Sequence, residues 1–339
     1  MNQTFLPVLY TVLQIAVPVF LGFFFRRITS LPDESYSVFG RLVVTLTLPL
    51  YFFVRVSRID PARIAESALF PLSALIIVGA GIGVSIVLAR IFFPGSDSAQ
   101  EERRRLMTAM GGFGNSGYLP VSVHELLPLT LPAAVGMFGN DLPTLYIGAY
   151  IFVQSPLLWS VGNYLVTGKR GRIELKSFIS TPIIGIVLGL VAGRLGLAEA
   201  ASSRENLLYY LWYAFDTIGS ITVPLVLLTL GGLIAGIRIP RENRRHLWRM
   251  AILTTVIRLA IIPAAFWAVY SLTGGLAFLA PAAVLVLFLE AHTPTASNFT
   301  VMAARAGRNH DEVALTLLTG YVTYLLVFPA YLYVFLAGR

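Results

Sequence analysis

Cysteine is absent from the 339-residue sequence, and lysine is almost absent, with two residues beside 23 arginines. Without cysteine the chain forms no disulfide, offers no thiolate to a metal and has no cysteine nucleophile. It also lacks the short motifs that bind nucleotide phosphates, coordinate zinc on a helix or place a catalytic serine on a tight turn. These absences predict a protein that is not an enzyme, has no metal site or cofactor and is not an ATP-driven pump.

Charged residues are scarce and apolar residues abundant, at 12% and 56% of the chain, and the mean hydropathy is +0.76. Soluble domains contain roughly half apolar and about a quarter charged residues. Ten apolar runs have about the length, roughly 20 residues, that crosses a bilayer. They lie at about 5–25, 36–56, 67–93, 104–126, 142–166, 178–196, 207–235, 246–272, 276–304 and 312–336. The sequence therefore predicts an all-α polytopic membrane protein with ten transmembrane helices.

Four prolines in the first half of the chain have partners in the second half at separations of 173 to 175 positions. The pairs are Pro7 and Pro182, Pro49 and Pro224, Pro120 and Pro294, and Pro156 and Pro329. Proline in a helix interior costs about 3 kcal/mol, so these coincidences indicate an internal duplication. The predicted repeats are residues 1–170 and 171–339, with five helices each. Because five is odd, the second repeat is inverted, which is typical of secondary transporters.

Basic residues are distributed unevenly between the predicted loops. With the N-terminus outside, the inner loops hold 18 of the 25 Lys and Arg residues and the outer loops hold six. The positive-inside rule then places both termini outside, and it explains the net charge of +8 without a nucleic-acid partner. We therefore expect a multi-pass protein of the cell membrane, surrounded by the lipid bilayer.

Two apolar segments at corresponding places in the repeats, 111–120 and 290–298, contain helix-breaking sequences. Unwound backbone is tolerated at membrane depth only where protein buries it or where it lines a wet cavity, and paired breaks point to a binding site. Half-helix N-termini carry partial positive charge, so crossed breaks suit the carboxylate of an anion. The alternative is that these small and polar residues only pack helices together. The predicted substrate-binding residues are Asn115, Ser116, Gly117, Pro120, Pro294, Thr295, Ser297 and Asn298.

Ionisable side chains inside the apolar segments form a second set of candidate functional residues. A charge at the bilayer centre costs roughly 2.5–3.5 kcal/mol on insertion scales, so each one needs a partner or a function. Glu290 and His292 lie at the start of the second break and are candidates for coupling to H⁺ or Na⁺, with local capping or packing as the alternative. Asp216 and Arg258 are predicted to form a structural ion pair between the seventh and eighth segments. Neutralisation of a substrate carboxylate by Arg258 is the other possibility.

Five stretches, in order along the chain, resemble the auxin efflux carrier family, which includes plant PIN auxin exporters and bacterial malate and malonate permeases. They are Arg41–Val44 with Leu48–Pro49, Gly114–Pro120, Leu230–Ala235, Arg258–Pro263 and Glu290–Asn298. The resemblance implies ten helices in two inverted repeats, with broken helices four and nine crossing, similar to sodium/proton antiporters and bile-acid transporters. It places Asn115 and Pro120 in the fourth-helix crossover and Pro294 in the ninth. It assigns no role to Glu290 or His292.

The resemblance also implies a division of labour between the helices. Helices one, two, six and seven would form a scaffold that dimerises, and helices three to five and eight to ten would form a moving transport domain. The expected function is that of a homodimeric secondary transporter, an exporter or permease, which moves a small organic anion by alternating access. An auxin-like aromatic acid and a malate- or malonate-type carboxylate both fit. The alternative is a membrane sensor that binds a ligand in the same fold without transporting it.

Overall fold

The computed structural model describes residues 4–29, 33–168, 180–236 and 244–338. Regular structure in these ranges is helical, and a single β-bridge within them joins Gly114 to Thr295. The predicted all-α class is therefore confirmed for the described part of the chain.

The helices follow one another with short connections, and π-helical turns interrupt three of the long ones. The α-helices are α1 (Phe5–Ile28), α2 (Asp33–Leu42), α3 (Leu48–Ser57), α4 (Leu69–Phe92), α5 (Ser98–Gly112), α6 (Leu119–Thr130), α7 (Ala133–Phe138), α8 (Leu142–Leu157), α9 (Asn163–Thr167), α10 (Thr181–Arg194), α11 (Leu197–Ala200), α12 (Leu207–Ser220), α13 (Thr222–Ala235), α14 (Arg244–Val256), α15 (Ile262–Leu272), α16 (Pro281–Ala291), α17 (Phe299–Ala306) and α18 (His310–Ala337). The π turns are Val43–Thr47, Leu158–Gly162 and Ile257–Ile261, and a 3₁₀ helix covers Pro61–Ala68.

Seven helical stretches in the described ranges are long and apolar enough to cross a membrane. They are Phe5–Ile28, Val38–Ser57, Ala62–Phe92, Leu142–Thr167, Leu207–Ala235, Arg245–Leu272 and His310–Ala337. These coincide with the first, second, third, fifth, seventh, eighth and tenth predicted segments, so a polytopic membrane protein is confirmed. The fourth and ninth segments fall short because each is broken into two helices. The ten-helix count and the inversion of the repeats stay predictions.

The sixth predicted segment, 178–196, is represented by the 14-residue helix α10. The predicted repeat boundary at 170/171 lies outside the described residues. So do some of the inner-loop basic residues, which are Lys169, Arg170, Arg172, Lys176, Arg238 and Arg241.

Proline explains the π turn in the eighth segment. Pro263 has no N–H to donate to the carbonyl of Leu259, four residues earlier, and its ring crowds that carbonyl. The helix widens into the π turn Ile257–Ile261, and the Tyr331 hydroxyl donates to the freed Leu259 carbonyl at 2.8 Å. Pro49 follows a π turn in the same register. Turns of this kind are frequent at functional sites, and this one holds a residue that reaches the candidate site.

Helix packing brings the first segment against the seventh and the second against the sixth. Helix α1 lies along α13, and α3 lies along α10. At the α1–α13 contact, a Cβ on Gly22 would come within 2.0 Å of the Leu228 carbonyl oxygen, so only glycine permits this approach. Helix α4 packs against both α5 and α8, and α14 packs against α18. The breaks of the fourth and ninth segments lie inside this second group.

Candidate functional site

The two broken segments meet and pair through their backbones. Helix α5 ends at Gly112 and α16 ends at Ala291, and several non-helical residues follow each before the next helix begins. The Asn115 N–H donates to the Pro294 carbonyl at 2.8 Å, and the Ala296 N–H donates to the Phe113 carbonyl at 3.0 Å. The predicted crossing of the two breaks is therefore present as a short antiparallel bridge.

Side chains satisfy the backbone groups that the breaks release. The Gln154 amide donates from α8 to the Gly114 carbonyl at 3.0 Å, and the Thr295 hydroxyl donates to the Met110 carbonyl at 2.9 Å. Each of these carbonyls would otherwise be an unpaired buried acceptor, which costs about 1–3 kcal/mol. The crossover is thus irregular backbone held by protein, as a membrane interior requires.

Two half-helices begin beside this bridge, α6 at Leu119 and α17 at Phe299. The first N–H groups of a helix have no partner within it and carry about half a positive charge. Helix α6 begins five residues after Gly114 and α17 begins four residues after Thr295, so both N-termini closely follow the bridge. The crossover therefore combines two helix N-termini with short polar side chains, an environment that suits an anion.

The structure brings all eight predicted substrate-binding residues to this crossover. Most of their side chains are buried, with Asn115 and Ser297 each 5% exposed and Ser116 2% exposed. Gly117 and Asn298 are half-buried and form the more accessible edge of the site. Pro120, Pro294 and Thr295 are buried and shape the backbone.

Asn115 is oriented by two contacts. Its side-chain amide donates to the Tyr321 hydroxyl of α18, and its side-chain carbonyl accepts from the Tyr118 N–H at 3.4 Å. Tyr321 and Gln154 both contact the crossover, and neither was predicted from the sequence as a site residue. Each is a polar side chain in an otherwise apolar segment, and this pattern could have marked both as candidates. The sequence does not indicate which backbone group or side chain each one contacts.

Arg258 braces the crossover from the π turn of the eighth segment. Its side chain is 1% exposed, and it donates from Nε to the Thr293 carbonyl at 3.1 Å and from Nη2 to the Thr293 hydroxyl at 2.8 Å. The guanidinium packs directly against the backbone of Gly114. A Cβ at this position would lie only 2.1 Å from Nη2. A buried cation thus sits at the C-terminal end of α16, where helix carbonyls carry partial negative charge.

The predicted ion pair between Asp216 and Arg258 is wrong. Asp216 on α12 pairs instead with Arg58, at the end of α3, with 3.3 Å between Nη2 and Oδ2, and both side chains are more than a third exposed. Arg258 is buried at the crossover against Thr293. The error arises because neighbouring segments in sequence need not place their charged residues at the same depth or on facing sides.

Glu290 is fully buried at the end of α16, with 0% exposure. Neither carboxylate oxygen has a hydrogen-bond partner among the described residues. Ser116 lies close to the carboxyl without reaching hydrogen-bond geometry, and Arg258 interacts with it electrostatically. The Arg258 Nη1 is also buried without a partner in the described part of the chain. A buried acid beside a buried base, each with unused hydrogen-bonding capacity, lies directly next to the crossover.

His292 has a different environment from Glu290. Its Nδ1 lies 2.7 Å from the Phe288 carbonyl, and its Nε2 accepts from the Trp267 indole N–H at 3.2 Å. This network assigns the neutral Nδ1–H tautomer, with both ring nitrogens occupied. The ring packs against Phe288 and Tyr331, with centroids 4.2 and 4.7 Å apart. This geometry is that of a packing histidine. In the described residues no three His, Asp or Glu side chains gather closely enough to hold a metal ion.

A polar cluster lies toward the far end of α6 from the crossover. Arg55 on α3 contacts Glu125 on α6 at 3.1 Å and Asp141, just before α8, at 3.6 Å. The Tyr51 hydroxyl donates to Glu125 at 2.7 Å and lies 3.2 Å from the Thr144 hydroxyl. These contacts, which we call the Arg55 cluster, join α3 to the elements that follow the first break.

Comparison with known proteins gives matches over most of the chain. The family described as "Membrane transport protein" matches residues 7–178 and 171–332. A protein of Methanothermobacter thermautotrophicus described as an uncharacterized transporter is 23% identical over 324 residues, covering 94% of this chain and 95% of its own length. A Saccharomyces cerevisiae protein with the same description is 31% identical over 123 residues, covering 36% of this chain and 28% of its own.

Proposed function

We propose a substrate site and a mechanism for this chain, which belongs to the membrane transport protein family. That match confirms the resemblance to the auxin efflux carriers drawn from the sequence motifs. The chain is a transporter by family, and the proposal concerns what it moves and how. We propose that it is a secondary transporter of a small organic anion, with the crossover as its binding site.

The pairing of the two breaks carries this proposal. The Asn115 N–H donates to the Pro294 carbonyl across the break, and α6 and α17 each begin a few residues beyond this bridge. Two helix N-termini attract a carboxylate, while the amides of Asn115 and Asn298 supply hydrogen bonds. Arg258, whose guanidinium lies against Gly114, adds a buried positive charge beside the site.

Glu290 supplies the proposed coupling. A fully buried carboxylate costs several kcal/mol unless it is neutralised, and although Arg258 lies near it, no described side chain forms an ion pair or a well-aligned hydrogen bond with it. We assign it a proton or a Na⁺ ion as the neutralising partner, exchanged during transport. His292 is a poor carrier because both of its ring nitrogens are already engaged. Glu290 is next to Arg258, which braces the same backbone that forms the anion site. The sites of the coupling ion and of the substrate would therefore both depend on the backbone that Arg258 holds at Thr293.

Alternating access supplies the proposed mechanism. Helices α1, α3, α10 and α13 pack together and would form the scaffold, while the two broken segments would move with α4, α8, α14 and α18. The Arg55 cluster connects the proposed scaffold to the proposed transport domain. Its charged side chains are 17–23% exposed, so these ion pairs are partly buried. We propose that they hold one face closed and separate when the domains move.

We also propose a homodimer in the cell membrane, with both termini outside. Large apolar side chains of α1 and α12 are more than half exposed, among them Phe20 at 55% and Tyr213 at 65%. A second copy or lipid covers such faces in a membrane. Native mass spectrometry of the protein released from detergent distinguishes a dimer from a monomer.

Thermal unfolding of the purified protein with a panel of organic acids tests the proposed function. A ligand that binds only the folded state stabilises it by about 2.7 kcal/mol at a hundredfold excess over Kd. The panel contains aromatic monocarboxylates and short dicarboxylates, each with and without Na⁺ and at two pH values. Stabilisation by one class, dependent on Na⁺ or pH, supports the proposal. No stabilisation by any acid argues against an anion site. Stabilisation without counterflow in proteoliposomes favours the sensor alternative.

A further inference from the structure

An unassigned cavity of about 340 Å³ opens where α4 ends and α5 and α14 begin, at the opposite end of α5 from the crossover. Its lining includes Arg103, Arg245, Arg249, His246, Gln100 and Phe93. The helices α4 and α14 belong to apolar stretches long enough to span a membrane, and the cavity lies at their ends. It therefore lies where a membrane meets water.

The cavity has an excess of positive charge. Three guanidinium groups line it, and no acidic residue is among its lining in the described part of the chain. The neighbouring acids are already engaged, since Glu101 pairs with Arg104 at 2.7 Å and Glu102 pairs with Arg308. Neither Arg103 nor Arg245 forms an ion pair with any described residue, and both retain donors for an anion.

Two of the residues that line the cavity also have a buried polar atom with no hydrogen-bond partner among the described residues. These atoms are the Gln100 Oε1 and the His246 Nδ1. The other ring nitrogen of His246 faces Glu312 at 3.7 Å, and Arg249 donates one bond to the Phe92 carbonyl at 3.0 Å. These contacts orient the His246 and Arg249 side chains at the wall of the cavity.

We propose that this cavity binds a phosphate group. The planar guanidinium fork matches phosphate oxygens with two hydrogen bonds, and three such groups around one cavity hold a doubly charged anion. The aromatic rings of Phe92 and Phe93 form an apolar part of the cavity wall beside the charged groups. Two sources have this chemistry, the headgroup of an anionic phospholipid and a soluble phosphate compound. Basic pockets between membrane helices are suited to the first. The site is independent of the crossover and of the substrate carried there.

Binding of defined phosphates to the purified full chain tests the proposal. The probes are phosphatidylglycerol, phosphatidylcholine, glycerol phosphate and inorganic phosphate, each measured by native mass spectrometry and by thermal unfolding. The variant carries Arg103→Gln and Arg245→Gln together, and the matched control carries Arg305→Gln. Arg305 is a basic residue over the Trp159 ring and does not line the cavity.

The wild type and the control should bind phosphatidylglycerol about tenfold or more tightly than the double variant, since charge-assisted hydrogen bonds are lost. Selective binding of phosphatidylglycerol identifies a lipid headgroup site, and equal effects of glycerol phosphate identify a soluble ligand. Equal binding by all three proteins, or no binding by the wild type, overturns the proposal. If the double variant unfolds, a competition assay on the wild type tests the proposal instead. In that assay inorganic phosphate must displace a fluorescent anionic lipid.

Discussion

Arg258 donates two hydrogen bonds to Thr293, one to its main-chain carbonyl at 3.1 Å and one to its hydroxyl at 2.8 Å. This places a buried guanidinium from the eighth segment directly on the break of the ninth. The contact fixes the backbone that pairs with Asn115, so the geometry of the candidate site depends on a residue outside both breaks.

Replacement of Arg258 by lysine should destabilise the protein although it keeps the charge. A lysine ammonium does not reproduce the two-point contact with Thr293, and a lost hydrogen bond from a charged group costs about 1.5–3 kcal/mol. We expect a lower unfolding temperature and reduced transport. Thr293→Val should have a milder effect because the bond to the carbonyl remains. Arg90→Lys, at an exposed position on α4, is the control and should behave as the wild type. An unaltered Arg258→Lys variant would contradict the bracing role.

A methyl group at Gly114 should disrupt the crossover. The Cβ of Gly114→Ala would lie 2.1 Å from the Arg258 Nη2 and 2.2 Å from the Thr293 hydroxyl oxygen, and overpacking of this kind costs about 1–3 kcal/mol. Gly117→Ala is a control three residues away, because its Cβ meets only the Ile151 Cδ1, at 3.7 Å. Thermal unfolding in detergent should show a marked loss for the first variant and little change for the second. Equal unfolding temperatures would show that the crossover relaxes around the added methyl.

Glu290→Gln should leave the protein folded and remove the ion dependence of transport. The amide is nearly isosteric with a protonated carboxyl and avoids a buried charge. Uptake by wild-type proteoliposomes should respond to a H⁺ or a Na⁺ gradient, and uptake by the variant should not. Glu199→Gln, at an exposed position, serves as the control. A variant with undiminished ion dependence would show that Glu290 does not carry the coupling ion and would leave His292 as the remaining candidate.

Loss of the Arg55 cluster should open one face of the protein. Because the chain has no cysteine, Gly117→Cys introduces a single label at the half-buried edge of the site. In this background Arg55→Gln should speed labelling by an impermeant maleimide added on the side where Arg55 lies. Arg63→Gln is the control, since Arg63 pairs with Glu66 only three residues away. Equal labelling rates in the two variants would mean that the cluster does not gate access.

Hydropathy and helix breakers predicted much of the fold because both act locally. Seven of the predicted segments correspond to long apolar helices in the described residues, and the two breaks occur where Pro120 and Pro294 mark them. An unwound stretch is encoded in its own sequence, through glycine, proline and short polar side chains.

The partners across helices could not be predicted in the same way. Asp216 and Arg258 were assigned to each other because they lie in successive segments, yet Asp216 contacts Arg58 and Arg258 contacts Thr293. Pairing between charges depends on helix rotation and depth, which one sequence does not specify. The contact of Asn115 with Tyr321 bridges 206 positions and is equally invisible in the sequence.

Counterflow of labelled organic acids into proteoliposomes, compared between the wild type and Asn115→Asp, tests the anion site most directly. The aspartate keeps the size of asparagine and accepts a hydrogen bond from Tyr321, so the fold should persist while the new negative charge repels an anion. Asn206→Asp is the matched control, because Asn206 caps α12 and aspartate caps equally well. We predict that the wild type and the control exchange at least one class of carboxylate and that Asn115→Asp does not. Undiminished exchange by Asn115→Asp would contradict the placement of the anion at the crossover.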